Sequence, residues 1–226
     1  MDKQDRVFLE SESDNWFKRN RAALDKLVPG DTPLQLLSAY PDLKPKKVLE
    51  VGCSSGWRLA EVNRRYGAEC FGAEPSAEAI AHGQKAYPNV KYKRAVASEL
   101  PFDAGTFDLV IINYVLHWVS RPMLLKAVSE LDRVLKDGGY LLLGDFLPDS
   151  PAKVPYHHRK DETLYTYKQD YARLFETSAL YTLVGRLTTG HSEPKTVPNV
   201  GSADRYVVSL LRKSHEEFYP VVNVHG

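Results

Sequence analysis

Val48-Leu49-Glu50-Val51-Gly52-Cys53-Ser54-Ser55-Gly56-Trp57 passes from a short apolar run into a glycine turn and then into a helical pattern. A run of this length, bounded by turn formers, suits a strand buried on both faces. Gly52 and Gly56 let the backbone approach a ligand closely, and a helix opening near Trp57 offers unpaired N–H groups. Such a turn is either purely structural or a cradle for a nucleotide or nucleoside. Its spacing is Gly-x-x-x-Gly and not the Gly-x-Gly-x-x-Gly of dinucleotide loops, which weighs against a dinucleotide.

From this turn to Gly144, strand and helix patterns alternate. Leu59, Val62 and Tyr66 share a helix face closed by Gly67; Cys70 to Ala73 fits a strand; Ser76 caps a helix that breaks at Pro88. Val90 to Ala95 and Phe107 to Asn113 fit further strands. Leu124, Ala127, Leu131 and Val134 mark a helix closed by Asp137-Gly138-Gly139, and Tyr140 to Gly144 fits a fifth strand. The alternation predicts an α/β fold, a doubly wound and mostly parallel sheet with helices on both faces.

The flanks read differently. Residues 12–28 suit a helix with Ser13 or Asp14 as N-cap, and Thr32-Pro33 opens a short helix that stops near Pro41. Residues 147–165 carry three prolines and no period, which predicts a long functional loop. Tyr167 to Ser178 reads as helix. Tyr181 to Leu187 and Tyr206 to Leu211 read as a strand hairpin that places one antiparallel strand in the sheet. The expectation is one domain over 1–226: a helical cap (1–44), a ligand-binding core (45–146), a loop and helix start (147–171), and a C-terminal helix and hairpin (172–226).

Composition narrows the function. Lys plus Arg (30) nearly balances Asp plus Glu (29), for a net charge of +1, so the basic stripe of a nucleic-acid binder is not expected. No apolar run approaches the ~18 residues of a membrane span, and Met1-Asp2-Lys3-Gln4-Asp5-Arg6 leads into no secretory h-region. Cys53 and Cys70 form neither a metal spacing nor a disulfide framework. A cytoplasmic protein without a metal is the expectation, with its oligomeric state open.

Glu74 ends the second strand, eighteen residues beyond Gly56. In a doubly wound sheet that end lies beside the glycine turn, where a carboxylate can accept both hydroxyls of a ribose. Ala97-Ser98-Glu99-Leu100-Pro101-Phe102 and Phe107-Asp108-Leu109-Val110-Ile111-Ile112-Asn113 follow. With these motifs the chain resembles the class I S-adenosylmethionine (SAM)-dependent methyltransferases, in particular the small-molecule "type 11" group. The likeness covers residues 48–145 and extends to the flanks only by layout. It implies a seven-stranded sheet in the order 3-2-1-4-5-7-6 with strand 7 antiparallel. It also implies SAM as cofactor, S-adenosylhomocysteine as product, and a small-molecule acceptor.

Carried over, the resemblance gives Glu50 and the turn residues Gly52, Cys53, Ser54 and Gly56 to the methionine end of SAM. Glu74 would take the ribose, Pro75 would pack on the adenine, Ala97 and Ser98 would meet the adenine edge, and Asn113 would lie near the amino group. The family often has an acid just before the Ala97 position to accept the adenine amine, and Val96 stands there instead.

Methyl transfer needs an acceptor held in line and water excluded; a hydroxyl acceptor also needs a base. By position, His117 is the expected base, with Asp145 at the end of strand 5 as a binder or second base and His157 as a further catalytic group. His117 serves equally well as a packing histidine, and Asp145 as a cap. Tyr156, His158, Arg159 and Tyr165 form an expected acceptor clamp, with Lys168, Tyr167 and Tyr171 beside them, suited to a sugar-like or anionic acceptor. Trp16 and Arg19 either anchor the first helix or reach the ligand. Two rival readings are a SAM-binding protein without catalysis and an NAD(P)-dependent oxidoreductase, the latter disfavoured by the turn spacing.

Overall fold

The computed structural model describes residues 2–24, 30–158, 164–192, 200–217, 219 and 221–222. Seven strands form the main sheet: β1 (Lys47–Val51), β2 (Glu69–Glu74), β3 (Val90–Arg94), β4 (Phe107–Asn113), β5 (Leu135–Phe146), β8 (Tyr181–Gly190) and β9 (Arg205–Lys213). Their order is β3-β2-β1-β4-β5-β9-β8. The first five run parallel, β9 runs antiparallel to β5, and β8 antiparallel to β9. The expected topology, with the last strand inserted antiparallel inside the sheet, is the one observed.

Continuous apolar strands are explained by burial on both faces. In β4, Val110 and Ile112 join Leu141 and Leu143 of β5 in one core, against Ala127, Leu131 and Val134 of α6 (Leu124–Val134). Leu109, Ile111 and Leu142 point the other way. They meet Leu34 and Leu37 of α3 (Thr32–Ser38) and Leu59 and Val62 of α4 (Trp57–Tyr66). At the edge, β3 is mostly exposed and alternates, as an edge strand should.

Several boundaries depart from the sequence expectations. The first helix begins at Lys3 and runs without a break through α1 (Lys3–Val7), a π-helical turn (Phe8–Glu12) and α2 (Ser13–Leu24). Asp2 is its cap, so neither Ser13 nor Asp14 caps it; residues 25–28 of the expected helix lie outside the described residues. Asp14 instead accepts from Ser76 Oγ (2.6 Å) and from the Glu78 N–H (3.1 Å), at the start of α5 (Ala77–Ala86). For α3 the cap is Asp31, one residue before Thr32.

The region read as a loop at 147–165 contains a hairpin, β6 (Ala152–Pro155) against β7 (Tyr165–Lys168). All four β6 residues are exposed, so no alternation marked it in the sequence. The helix expected over Tyr167–Ser178 shrinks to α7 (Ala172–Glu176), because Tyr165-Thr166-Tyr167 are strand formers that pair across the hairpin. β5 starts directly at Leu135, and Gly138-Gly139 fall inside a bulged strand pairing and not in a loop after α6.

One glycine in β2 fixes how closely the turn after β1 packs. A Cβ on Gly72 would lie 2.4 Å from Cys53 Sγ. Gly72→Ala should therefore cost about 1–3 kcal/mol by overpacking, and Cys53→Ala in the same chain should recover most of that loss. Urea denaturation of the single and double variants checks this; equal destabilisation in both would place the strain elsewhere.

Candidate functional site

The turn between β1 and α4 depends on left-handed backbone at Gly52 (φ 72°), Ser54 (φ 51°) and Gly56 (φ 81°). Gly52 N–H donates to Ala73 O at 2.7 Å, and Gly56 N–H to Cys53 O at 2.9 Å. A Cβ on Gly52 would meet Val115 Cγ2 at 2.3 Å, so only glycine fits against the residues that follow β4. The path of the backbone is thus set from two neighbouring strands.

Glu74 lies against this turn, buried at 6 % exposure. Its Oε2 accepts the Ser54 N–H at 2.8 Å and its Oε1 the Ser76 N–H at 2.9 Å. A carboxylate offers about four lone-pair sites, so two remain, one on each oxygen. Burial pushes the carboxyl up to about 7, against the downward pull of the two N–H groups.

Glu50 lies one layer deeper and does not line the cavity. Its Oε1 binds Arg58 Nη1, and Arg58 reaches across to Asp31 with Nη2 to Oδ2 at 2.9 Å and Nε to Oδ1 at 3.1 Å. Against the cost of burial, the two carboxylates hold the Arg58 guanidinium above its ordinary range. Arg58 escaped the sequence reading. The signal present was an arginine beside Leu59 and Val62 on the buried face of an amphipathic helix.

Above the turn stands a cavity of about 420 Å³, within the range of small-molecule sites. Gly52, Cys53, Ser54, Glu74, Pro75, Ala97 and Asn113, all expected at the cofactor, line it. Glu50, Gly56 and Ser98 do not. Glu50 supports Arg58, Gly56 faces Tyr92, and Ser98 Oγ donates to Asp5 Oδ2 at 2.6 Å. Asn113 is engaged as well, its Oδ1 accepting from Tyr206 Oη.

The N-terminal helix forms the roof. Asp5, Phe8, Ser13 and Trp16 all line the cavity. An α-helix advances about 100° per residue, which would turn Ser13 well away from Phe8. The π-helical turn bonds i to i+5, with the Ser13 N–H on Phe8 O, and restores a common face. Trp16, left open between anchor and ligand contact, therefore faces the cavity. Arg19 does not; it binds Glu12 at 2.5 Å and the Tyr156 hydroxyl at 2.8 Å.

The expected catalytic residues divide. His117 Nδ1 lies 2.9 Å from Asp145 Oδ1, and the His117 N–H donates to Asp145 Oδ2 at 3.2 Å. The structure thus brings these two together, but both are buried and neither lines the cavity; Tyr114, Val115 and Trp118 stand in front. His157 and His158 are exposed on the hairpin, their ring centroids 3.9 Å apart. Tyr156 is buried with its hydroxyl donating to Glu12 at 2.6 Å, and Tyr165 lies beneath Lys153 Nζ at 3.7 Å. None of these four lines the cavity; Tyr156 and Tyr165 instead belong to the seam between roof and hairpin. Arg159 lies outside the described residues.

What the wall has instead is aromatic. Tyr114, with a strained φ of 55°, stacks on Tyr206 at 4.5 Å, and its hydroxyl meets His191 Nδ1 at 2.8 Å. His191 also lines the cavity and was not singled out in the sequence. Among the described residues, no group of three or more His, Cys, Asp or Glu could hold a metal ion, and no helix is long and apolar enough to cross a membrane.

Residues 49–143 match the model of a methyltransferase domain. Over this segment the chain is similar to methyltransferase domains. An uncharacterized methyltransferase of Synechocystis sp. is 33 % identical over 113 residues, covering 50 % of this chain and 51 % of its own length. The chain spans about half the length of the curated relatives it matches. Among solved structures, a 1,6-didemethyltoxoflavin-N1-methyltransferase from Burkholderia thailandensis, with 1,6-didemethyltoxoflavin and S-adenosylhomocysteine bound, superposes with a TM-score of 0.71. It has 17 % identity and covers 93 % of this chain and 89 % of that one. The N-methyltransferase NodS from Bradyrhizobium japonicum, in complex with S-adenosylhomocysteine, gives a TM-score of 0.62 at 16 % identity, covering 95 % and 100 %. The match of the methyltransferase domain begins in β1 and ends in β5, so it contains the glycine turn and Glu74 and leaves out the roof helix.

The Glu74 carboxyl gives this domain a pH signature. An acid whose pKa is higher folded than unfolded holds its proton more tightly in the native state, so the native state binds more protons between the two values. Stability is then greatest at low pH and declines as pH rises from 4.5 to about 7. Urea denaturation across that window, without ligand, should show a slope of at most about 1.4 kcal/mol per pH unit from this group. Burial pushes the Glu50 carboxyl up to about 7 as well, so Glu74→Gln should reduce the slope and not abolish it; an unchanged profile would show that Glu74 does not contribute.

Proposed function

We propose that the chain transfers a methyl group from SAM to a small, flat and largely apolar acceptor. The observation that carries this is the pair of spare acceptor sites on buried Glu74, at a cavity lined in large part by aromatic rings. The donor set suits a nucleoside: a carboxylate for a diol, glycine backbone for close approach, and Pro75, Val96 and Ala97 as an apolar bed for a base. SAM supplies a methyl group already activated on a sulfonium. What the chain contributes is position and dryness, which in favourable cases are worth roughly 7–11 kcal/mol of barrier.

The acceptor class follows from the wall. A sugar-like or anionic acceptor was expected from Arg159 and the tyrosines around it, yet Tyr156 and Tyr165 are committed to the seam. Phe8, Trp16, Trp118, Tyr114 and Tyr206 line the cavity, and among the described lining residues the one arginine, Arg58, is paired with two carboxylates. A planar ring gains from such a wall by stacking. In support, the Burkholderia neighbour is described with its acceptor and S-adenosylhomocysteine bound together.

His117 and Asp145 act as positioning residues in this reading. With the His117 Nδ1–H donating to Asp145, the pair ties the turn Leu116–Trp118 to the end of β5 and so holds Tyr114 and Trp118 in place. The proton acceptor at the cavity is His191, whose pKa partial desolvation lowers from the ordinary histidine value. When its Nδ1–H donates to the Tyr114 oxygen, Nε2 is the basic atom.

Two measurements test this. Calorimetry should show binding of S-adenosylhomocysteine and not of NAD, and Glu74→Ala should weaken it roughly 10- to 150-fold, the value of a charge-assisted hydrogen bond. Binding of NAD alone would end the methyltransferase reading. With a hydroxyl acceptor in hand, His191→Ala should lower kcat by about 10²–10⁴-fold, while His117→Ala should mainly raise the acceptor KM. The reverse pattern would return the base to His117.

A further inference from the structure

We propose that Asp5, on the roof helix, reads the 6-amino group of the cofactor's adenine and makes the site selective for adenine over a 6-oxo purine. The inference rests on the SAM-binding reading above and adds to it the group that recognises the base.

Position comes first. Glu74 ends β2, and β3 pairs beside it with Glu74 opposite Arg94. A nucleoside whose diol sits on Glu74 therefore extends its base toward the segment that follows β3. There the cavity wall is Ala95, Val96 and Ala97, none of which carries a polar side chain. The next two residues do not serve either: Ser98 turns its hydroxyl to Asp5, and Glu99 is exposed. Asp5 is the carboxylate that lines this end of the cavity, and it arrives from a helix far away in the chain.

The state of Asp5 fits an acceptor in waiting. Its residue is 6 % exposed. Oδ2 accepts from Ser98 Oγ at 2.6 Å, which fixes the carboxylate plane, and among the described residues no protein donor engages Oδ1. Among the described residues no arginine or lysine forms an ion pair with it, and Lys126 acts on it only at longer range. Burial raises its carboxyl above the ordinary range, so a donor arriving from a ligand relieves a desolvated group. An adenine 6-amino group is such a donor. A 6-oxo group is an acceptor, and placing it against the same oxygen sets two lone pairs face to face.

Selectivity of this kind is large when a buried polar group would otherwise be left unpaired. The probes are S-adenosylhomocysteine and its 6-oxo analogue S-inosylhomocysteine, with dissociation constants measured by calorimetry on the full chain. The wild-type protein should bind the adenosyl compound at least about 10-fold more tightly, the lower bound for a charge-assisted hydrogen bond. In Asp5→Asn the side-chain amide can donate to a 6-oxo group, and the ratio should fall to near one. A merely structural role for Asp5 would weaken both ligands equally and leave the ratio unchanged.

The outcomes separate cleanly. No binding of S-adenosylhomocysteine by the wild type would overturn the SAM reading itself. Tight binding with an Asp5→Asn ratio equal to that of the wild type would overturn the role of Asp5 alone. Should the variant fail to fold, the wild-type ratio still decides, because equal affinities for the two compounds contradict the proposal.

Discussion

The hydrogen bonds from the Ser54 and Ser76 N–H groups to the two oxygens of Glu74 are the contact on which this site depends. One carboxylate joins the end of β2, the glycine turn after β1 and the start of α5. It can do so only because Gly52, Ser54 and Gly56 accept left-handed backbone, which brings the turn within reach. A buried carboxylate without a cation is expensive, and the two N–H groups offset only part of that cost. In the proposed reading a ligand with a vicinal diol supplies the rest, so the feature that costs the free protein favours the bound one.

A second constraint comes from the roof. The π-helical turn at Phe8–Glu12 adds one residue to the helical repeat and so puts Asp5, Phe8, Ser13 and Trp16 on a single face. Glu12 is turned the other way, where it meets Arg19 and Tyr156 and fastens the β6–β7 hairpin to the helix. Gln4 adds a bond to Tyr165 O at 3.0 Å. Roof and hairpin are therefore one unit, whose polar interior serves the fold and whose aromatic face serves the cavity. π-helical turns are rare and recur at functional sites, in keeping with this arrangement.

The sequence made the core legible because β1, β4 and β5 are buried on both faces and α4 and α6 on one, so burial wrote the periods directly. Glu74 was legible for a different reason, since strand ends next to a glycine turn are fixed by topology. The flanks were opaque. β6 has no buried side chain to mark it. The extent of the first helix was hidden because the residues before Ser13 are mostly polar, and a helix that roofs a cavity needs few core contacts. The pairing of His117 with Asp145 joins residues 28 apart, and the screen of Tyr114 and Trp118 before them depends on side-chain placement that no local pattern encodes. Arg58 and His191 were missed likewise, because Asp31 and Tyr114, a partner of each, lie 27 and 77 residues away.

The central claim is that Glu74 holds a ribose at the end of β2, with the aromatic wall beside it left for the acceptor. A crystal structure of the protein with S-adenosylhomocysteine tests it most directly. The account predicts the ribose hydroxyls within hydrogen-bond distance of Glu74 Oε1 and Oε2 while Ser54 and Ser76 keep their bonds. A nucleoside bound away from Glu74, or a Glu74 turned off the ligand, would contradict it.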